Sequence, residues 1–243
     1  MAILADKGKA AAAMHASIAC MKMIMKTTSG SRSFSSAPVP VVLVAVMFFA
    51  ASALGFGAAL DGYSQLAYPV AVLGAVGMPH AAAFNVLGFV VPGLLLAVVA
   101  MTLYLRLPAG AGGSAHIGAW VLLFSTLAFA AQGVFPLDLD DLDATTGRLH
   151  VTTWSLWWLT TGAGVVLLAS GLWRLHTRRR WAVLALVVAA AVPFFALFTP
   201  AAWGSAVPQR IAYAFWFGWW WLAARDLSRN AISAPGSSPP GQR

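Results

Sequence analysis

The 243-residue chain contains no glutamate, a single cysteine and only 9% charged residues. A soluble globular domain carries about 25% charged residues, so this chain has roughly a third of that share. With 60% apolar residues and a mean hydropathy of +0.79, it has more apolar surface than a water-soluble fold can hide. An ordinary cytosolic or secreted domain is excluded. What remains is a polytopic membrane protein, with room for roughly six or seven spans of about 20 residues. The missing glutamates exclude a paired-glutamate catalytic site. The lone Cys20 excludes an internal disulfide, a multi-cysteine zinc site and an iron–sulfur cluster, and it suits a reducing compartment. There is also no phosphate-cradling glycine loop, nucleophile elbow or His-x-x-x-His pair. No cofactor and no resident metal are expected. The two halves carry no internal repeat, which counts against a secondary transporter.

Charge is lopsided: 15 Lys and Arg stand against seven Asp, a net charge of +8. Nucleic-acid binding would need those cations on one soluble face. Here they sit in short pieces between apolar runs, the pattern of cytoplasmic loops beside anionic lipid headgroups. Membrane lipids are therefore the expected partners and nucleic acid is not; a membrane-protein partner or a homo-oligomer is left open.

The fold class expected is an all-α membrane helix bundle. Six transmembrane helices read as 38–60, 80–105, 116–136, 149–173, 181–202 and 207–225, each long enough to cross about 30 Å of hydrocarbon. Residues 1–37 form a cytoplasmic tail, weakly ordered or interfacial. They hold all four Lys and a serine-rich stretch, with Met14, Ile18, Met21 and Met25 at helical spacing. The transmembrane domain covers 38–226, and 227–243 is a second cytoplasmic tail. The apolar 61–79 connection reads as a short re-entrant segment. Pro92 and Pro193 fall within spans, where each frees a carbonyl. Thirteen of the 15 positive charges fall on one side of this scheme. The other side keeps Arg148 and Arg210 and collects Asp61, Asp138, Asp140, Asp141 and Asp143. Both termini are thus expected in the cytoplasm of a bacterial inner (plasma) membrane.

The outward polar residues form the one candidate site. His80 and Asn85 come from the second span, Asp138 follows the third, Arg148 and His150 open the fourth, and Gln209 and Arg210 open the sixth. A polar group within a span is costly unless paired or facing a cavity. Each residue has a plainer reading as well. His150 is a general base, a headgroup contact or merely a helix-start hydrogen bond. The Asp138–Asp143 run offers oxygen ligands to a hard cation or is a solvated loop that caps a helix. Arg210 breaks the charge rule, so it clamps a lipid phosphate or bridges internally. Below them run two aromatic stripes at helical spacing. One follows His150, Trp154, Trp157 or Trp158, and Thr161; the other follows Arg210, Tyr213, Phe217, and Trp220 or Trp221. They wall a lipid pocket or simply pack. Gly162, Ala163 and Gly164 favour close helix contact.

The stretch Tyr63-Ser64-Gln65, then Leu73 to Ala81 with Phe84, Asn85 and Gly88, resembles the bacterial membrane family of unknown function number 998. So do Gly133 to Asp138, Arg148-Leu149-His150 and Gln209-Arg210. The resemblance covers about residues 40–225 and implies six membrane helices without an assigned activity. That family is in turn distantly similar to the Frag1/DRAM/Sfk1 group, linked to lipid handling. Asn85, Asp138, His150 and Arg210 occupy its polar positions. The leading expectation is an integral membrane protein, stand-alone or accessory, that recognises a lipid headgroup or small amphipathic molecule in an outward-facing polar pocket. The alternatives are an intramembrane enzyme on a lipid or isoprenoid, with His150 and Asp138 as its candidate catalytic pair, and a small transporter.

Overall fold

The structure is a computed structural model that describes residues 38–108, 110–141, 143–173, 175, 179–197 and 206–232. Residues 1–37, which include Cys20, residues 233–243 of the second tail, and Trp203 lie outside these residues. Every regular element described is helical. Six helices run in order: α1 Pro38–Ala59, α2 Ala81–Leu105, α3 Gly113–Val134, α4 Thr145–Leu172, α5 Arg179–Leu197 and α6 Ala206–Ile232. A single 3-10 turn, Val70–Gly74, interrupts the α1–α2 connection. Helices α1 to α4 are long and apolar enough to cross a membrane. In α5 the apolar run is shorter, Trp181–Leu197. In the 27-residue α6, Gln209 and Arg210 near the start, four tryptophans with polar N–H groups in the middle, and Arg225, Asp226 and Arg229 near the end dilute the apolar run.

The helices fall where the apolar runs place them, with ends displaced by a few residues and most at the start of α4 and the end of α6. Helix α4 starts at Thr145 rather than 149. The Asp141 carboxylate accepts the backbone N–H groups of Asp143 and Ala144, at 3.0 and 3.1 Å, and so orders the approach to the helix. Helix α6 continues to Ile232, past 225, through a polar turn whose Ser228 bonds back to Ala224.

Each helix packs on its chain neighbours, and α6 returns against α1 to close a ring. The tightest seam is α3 on α4. A Cβ on Gly118 would strike the Leu168 backbone nitrogen and lie 2.7 Å from the Gly164 carbonyl. One on Gly171 would strike the Ala115 backbone. Small residues let two backbones touch where lipid offers no hydrophobic drive. Of the expected contact glycines, Gly164 serves this seam, and a Cβ on Gly162 would lie 3.2 Å from the Pro193 ring of α5.

Aromatic rings fill the middle of the ring of helices. Phe129 of α3 is the hub. It meets Phe49 of α1, Phe89 of α2, Trp157 of α4, and Tyr213, Trp216 and Phe217 of α6, with centroid separations from 4.6 to 6.2 Å. Trp157, Trp216 and Trp220 are wholly buried. The two aromatic stripes therefore interlock, Trp154 and Trp157 against Tyr213, and do not face each other across a pocket. Just before Pro92, α2 widens into a π-helical stretch, Asn85–Val90, where the missing proline N–H leaves the ladder short of a donor.

Connections sort to opposite ends. Val76 N–H bonds the Leu137 carbonyl at 2.8 Å, joining the α1–α2 and α3–α4 connections. Gly112 N–H bonds the Gly171 carbonyl at 3.2 Å at the other end.

Candidate functional site

The α1–α2 connection is a cap laid over one end of the bundle, and polar side chains stitch it down. Arg210, in the first turns of α6, is the main stitch. Its Nη2 donates to Gln65 Oε1 at 2.7 Å and to the Tyr63 hydroxyl at 2.9 Å. Its Nη1 donates to the carbonyls of Tyr68, at 3.1 Å, and Ala206, at 3.0 Å. Gln65 in turn donates through Nε2 to the Ala53 carbonyl of α1 at 2.6 Å. Tyr63 stacks on Tyr68 and passes its own proton toward the Tyr68 and Pro69 carbonyls, at 3.3 and 3.4 Å. Burial pushes the Tyr63 phenol above its usual pKa, and Arg210 pulls it partly back. It is thus a neutral hydroxyl at physiological pH, accepting from Arg210 while donating onward. Gln209, next in the chain, accepts the Val70 N–H at 3.0 Å.

Four neutral oxygens thus hold Arg210, and no carboxylate among the described residues pairs with it. Hydrogen bonds to neutral oxygens satisfy N–H groups and leave the unit positive charge uncompensated. Arg210 also lines the head of an apolar groove of about 460 Å³ between α1 and α6, walled by residues such as Leu43, Phe49, Tyr213 and Phe217. Burial of the Tyr213 side chain leaves its hydroxyl without a hydrogen-bond partner.

The other expected site residues are placed separately. Asn85, buried at the start of the π stretch, donates to the Gly74 carbonyl at 2.8 Å. A Cβ on Gly74 would occupy the space of the Asn85 amide. His150 is also buried, and its Nδ1 donates to the Phe135 carbonyl at 2.8 Å, capping the end of α3. Asp138 Oδ1 accepts the backbone N–H groups of Asp140 and Asp141, both at 3.1 Å, in a local turn. Arg148 pairs with Asp143 at 3.5 Å on the exposed surface, where such a pair contributes little. His80 holds a left-handed backbone, φ 59°, ahead of α2, beside a second apolar groove, of about 530 Å³, on α1 and α2.

Gln209 and Arg210 come together. His80, Asn85, Asp138, Arg148 and His150 make no hydrogen bond or ion pair with one another. The pairing of His150 with Asp138 that an enzyme would use is not made: each bonds backbone instead. No cluster of three metal-ligating side chains occurs among the described residues. Sequence reasoning missed Tyr63, Gln65 and Tyr68 as partners of Arg210. The only available signal was a polar triplet, Tyr63-Ser64-Gln65, in an apolar loop. It also underrated Gln132, fully buried in α3 with both amide atoms unpartnered.

Comparison with protein-family models, with curated proteins and with solved structures finds no match to this chain.

Proposed function

We propose that the protein is a six-span bacterial inner-membrane protein, with both termini cytoplasmic, that binds an anionic lipid headgroup at Arg210 on its outward end. The observation that carries this reading is a fixed guanidinium, without a counter-ion, at the head of an apolar groove. Guanidinium is weakly hydrated and gains most from an anion where the surroundings are of low dielectric, and with both Nη groups committed to the cap it attracts that anion by its charge rather than as a bidentate fork. An amphiphile supplies both halves of the match, charge at Arg210 and chain below it. The distribution of Lys and Arg supports the orientation: thirteen of 15 fall in sequence segments that a six-span scheme assigns to the side opposite the α1–α2 connection. Whether the protein acts alone or as an accessory subunit follows from what remains bound to it.

The test is native mass spectrometry of protein gently extracted from its own membrane. The wild type is expected to carry an anionic amphiphile and Arg210→Gln to lose it. Gln209→Ala, which breaks one stitch of the cap without touching the charge, is expected to retain it. Equal retention in Arg210→Gln would end this reading.

A further inference from the structure

On the outward face of α6, Arg210, Ala214, Gly218 and Leu222 follow one another at intervals of four residues, one above the next along the helix. The last three are exposed. The groove between α1 and α6 runs down one flank of this stripe. A second apolar groove, of about 480 Å³ and walled by residues such as Leu184, Val187 and Phe215, runs down the other flank, between α5 and α6. Both grooves are bounded by the same three residues of α6: Ala214, Gly218 and Trp221. They are two channels separated by a low saddle, with a cation at its upper end.

Gly218 is the second observation. It lies mid-helix, where glycine is the weakest helix former after proline. The glycines of the α3–α4 seam repay that cost by admitting a neighbouring backbone. A Cβ on Gly218 would meet nothing within 4 Å, so none of the described helices uses the space. Gly55, at the groove on α1 and α2, is similarly open.

We infer that the ligand is a two-chain anionic glycerophospholipid that straddles α6, its phosphate on Arg210 and one acyl chain in each groove, with Gly218 the saddle between them. This rests on the reading of Arg210 given above and adds to it the class of lipid. Gly218 lies eight residues below Arg210, about 12 Å along the axis at 1.5 Å per residue. That depth falls within one leaflet of a hydrocarbon core about 30 Å thick, where two chains leaving one headgroup run side by side. A single-chain amphiphile would use one groove and leave the other, and Gly218, without a role.

The experiment titrates the purified full chain in detergent with dioleoyl phosphatidylglycerol, its single-chain lyso form, or dioleoyl phosphatidylcholine, and reads bound lipid by native mass spectrometry. The wild type is expected to prefer the two-chain anionic lipid over the lyso form by about tenfold. Gly218→Leu, whose side chain enters open space and leaves the fold intact, is expected to erase that preference while lyso binding persists. Val187→Trp, which fills only the α5–α6 groove, is expected to do the same by an independent route. Arg210→Gln is expected to lose both anionic lipids. An unchanged preference in both groove variants would overturn the straddled lipid and leave the headgroup reading standing. Retention of both anionic lipids by Arg210→Gln, or equal binding of phosphatidylcholine by the wild type, would overturn both and leave ordinary annular lipid only.

Discussion

Arg210 and Gly74 illustrate two ways in which a single residue works here. Arg210 combines a structural task, holding the cap through four oxygens, with a charge that those oxygens do not neutralise. Arg210→Lys keeps the charge and loses the planar fork. It is expected to lower the melting temperature in detergent while retaining anionic lipid, the reverse of a purely structural role. Gly74 works by having no side chain. Gly74→Ala is expected to cost about 1–3 kcal/mol, because a methyl group would overlap the Asn85 amide. Asn85→Ala in the same chain should recover part of that loss, a non-additivity readable by thermal unfolding of the two single variants and the double variant. Gly218→Ala should behave oppositely and stabilise α6 by about 1 kcal/mol, since nothing stands where the methyl would go. Arg210 was legible in the sequence as a cation on the wrong side of the charge count. Its partners were not, because hydrogen bonds spanning up to 147 residues have no local signature.

Helices α3 and α4 show how an element's neighbours decide its sequence. Their seam depends on Gly118, Gly164 and Gly171, whose Cβ positions are taken by the partner's backbone or by Leu122. Gly118→Val is expected to cost about 1–3 kcal/mol and to be far more harmful than Gly113→Val. Gly113 opens the same helix, and a Cβ there meets nothing. Melting temperatures of the two variants in one detergent check this. Helix existence was legible because a 20-residue apolar run has few other fates in lipid. Helix ends were less so: the start of α4 depends on which backbone amides Asp141 captures, and the π stretch in α2 on how the ladder adjusts ahead of Pro92. The aromatic stripes were visible as spacing, yet spacing alone is the same for a ring that faces a ligand and one that faces Phe129.

At the scale of the whole molecule, the expected arrangement is six crossings with the Asp-rich connections outside. In intact cells of a Cys20→Ser background, Asp141→Cys should react with a membrane-impermeant maleimide and Gly110→Cys only after lysis. Equal labelling of both positions would contradict the six-span topology. Composition alone determined that this chain belongs in a bilayer, since 60% apolar and 9% charged residues leave no soluble alternative. Local pattern alone placed six helices and sorted their connections into basic and acidic sets, because length, hydropathy and charge act residue by residue. Only the tertiary structure decided which polar groups satisfy one another. The fold spent Asn85 and His150 on the carbonyls of Gly74 and Phe135 and Asp138 on two exposed amides of its own turn, and it left Arg210 without a counter-charge at the head of a groove. A hydrogen bond is a relation between positions far apart in the chain, and helix packing is what brings those positions together.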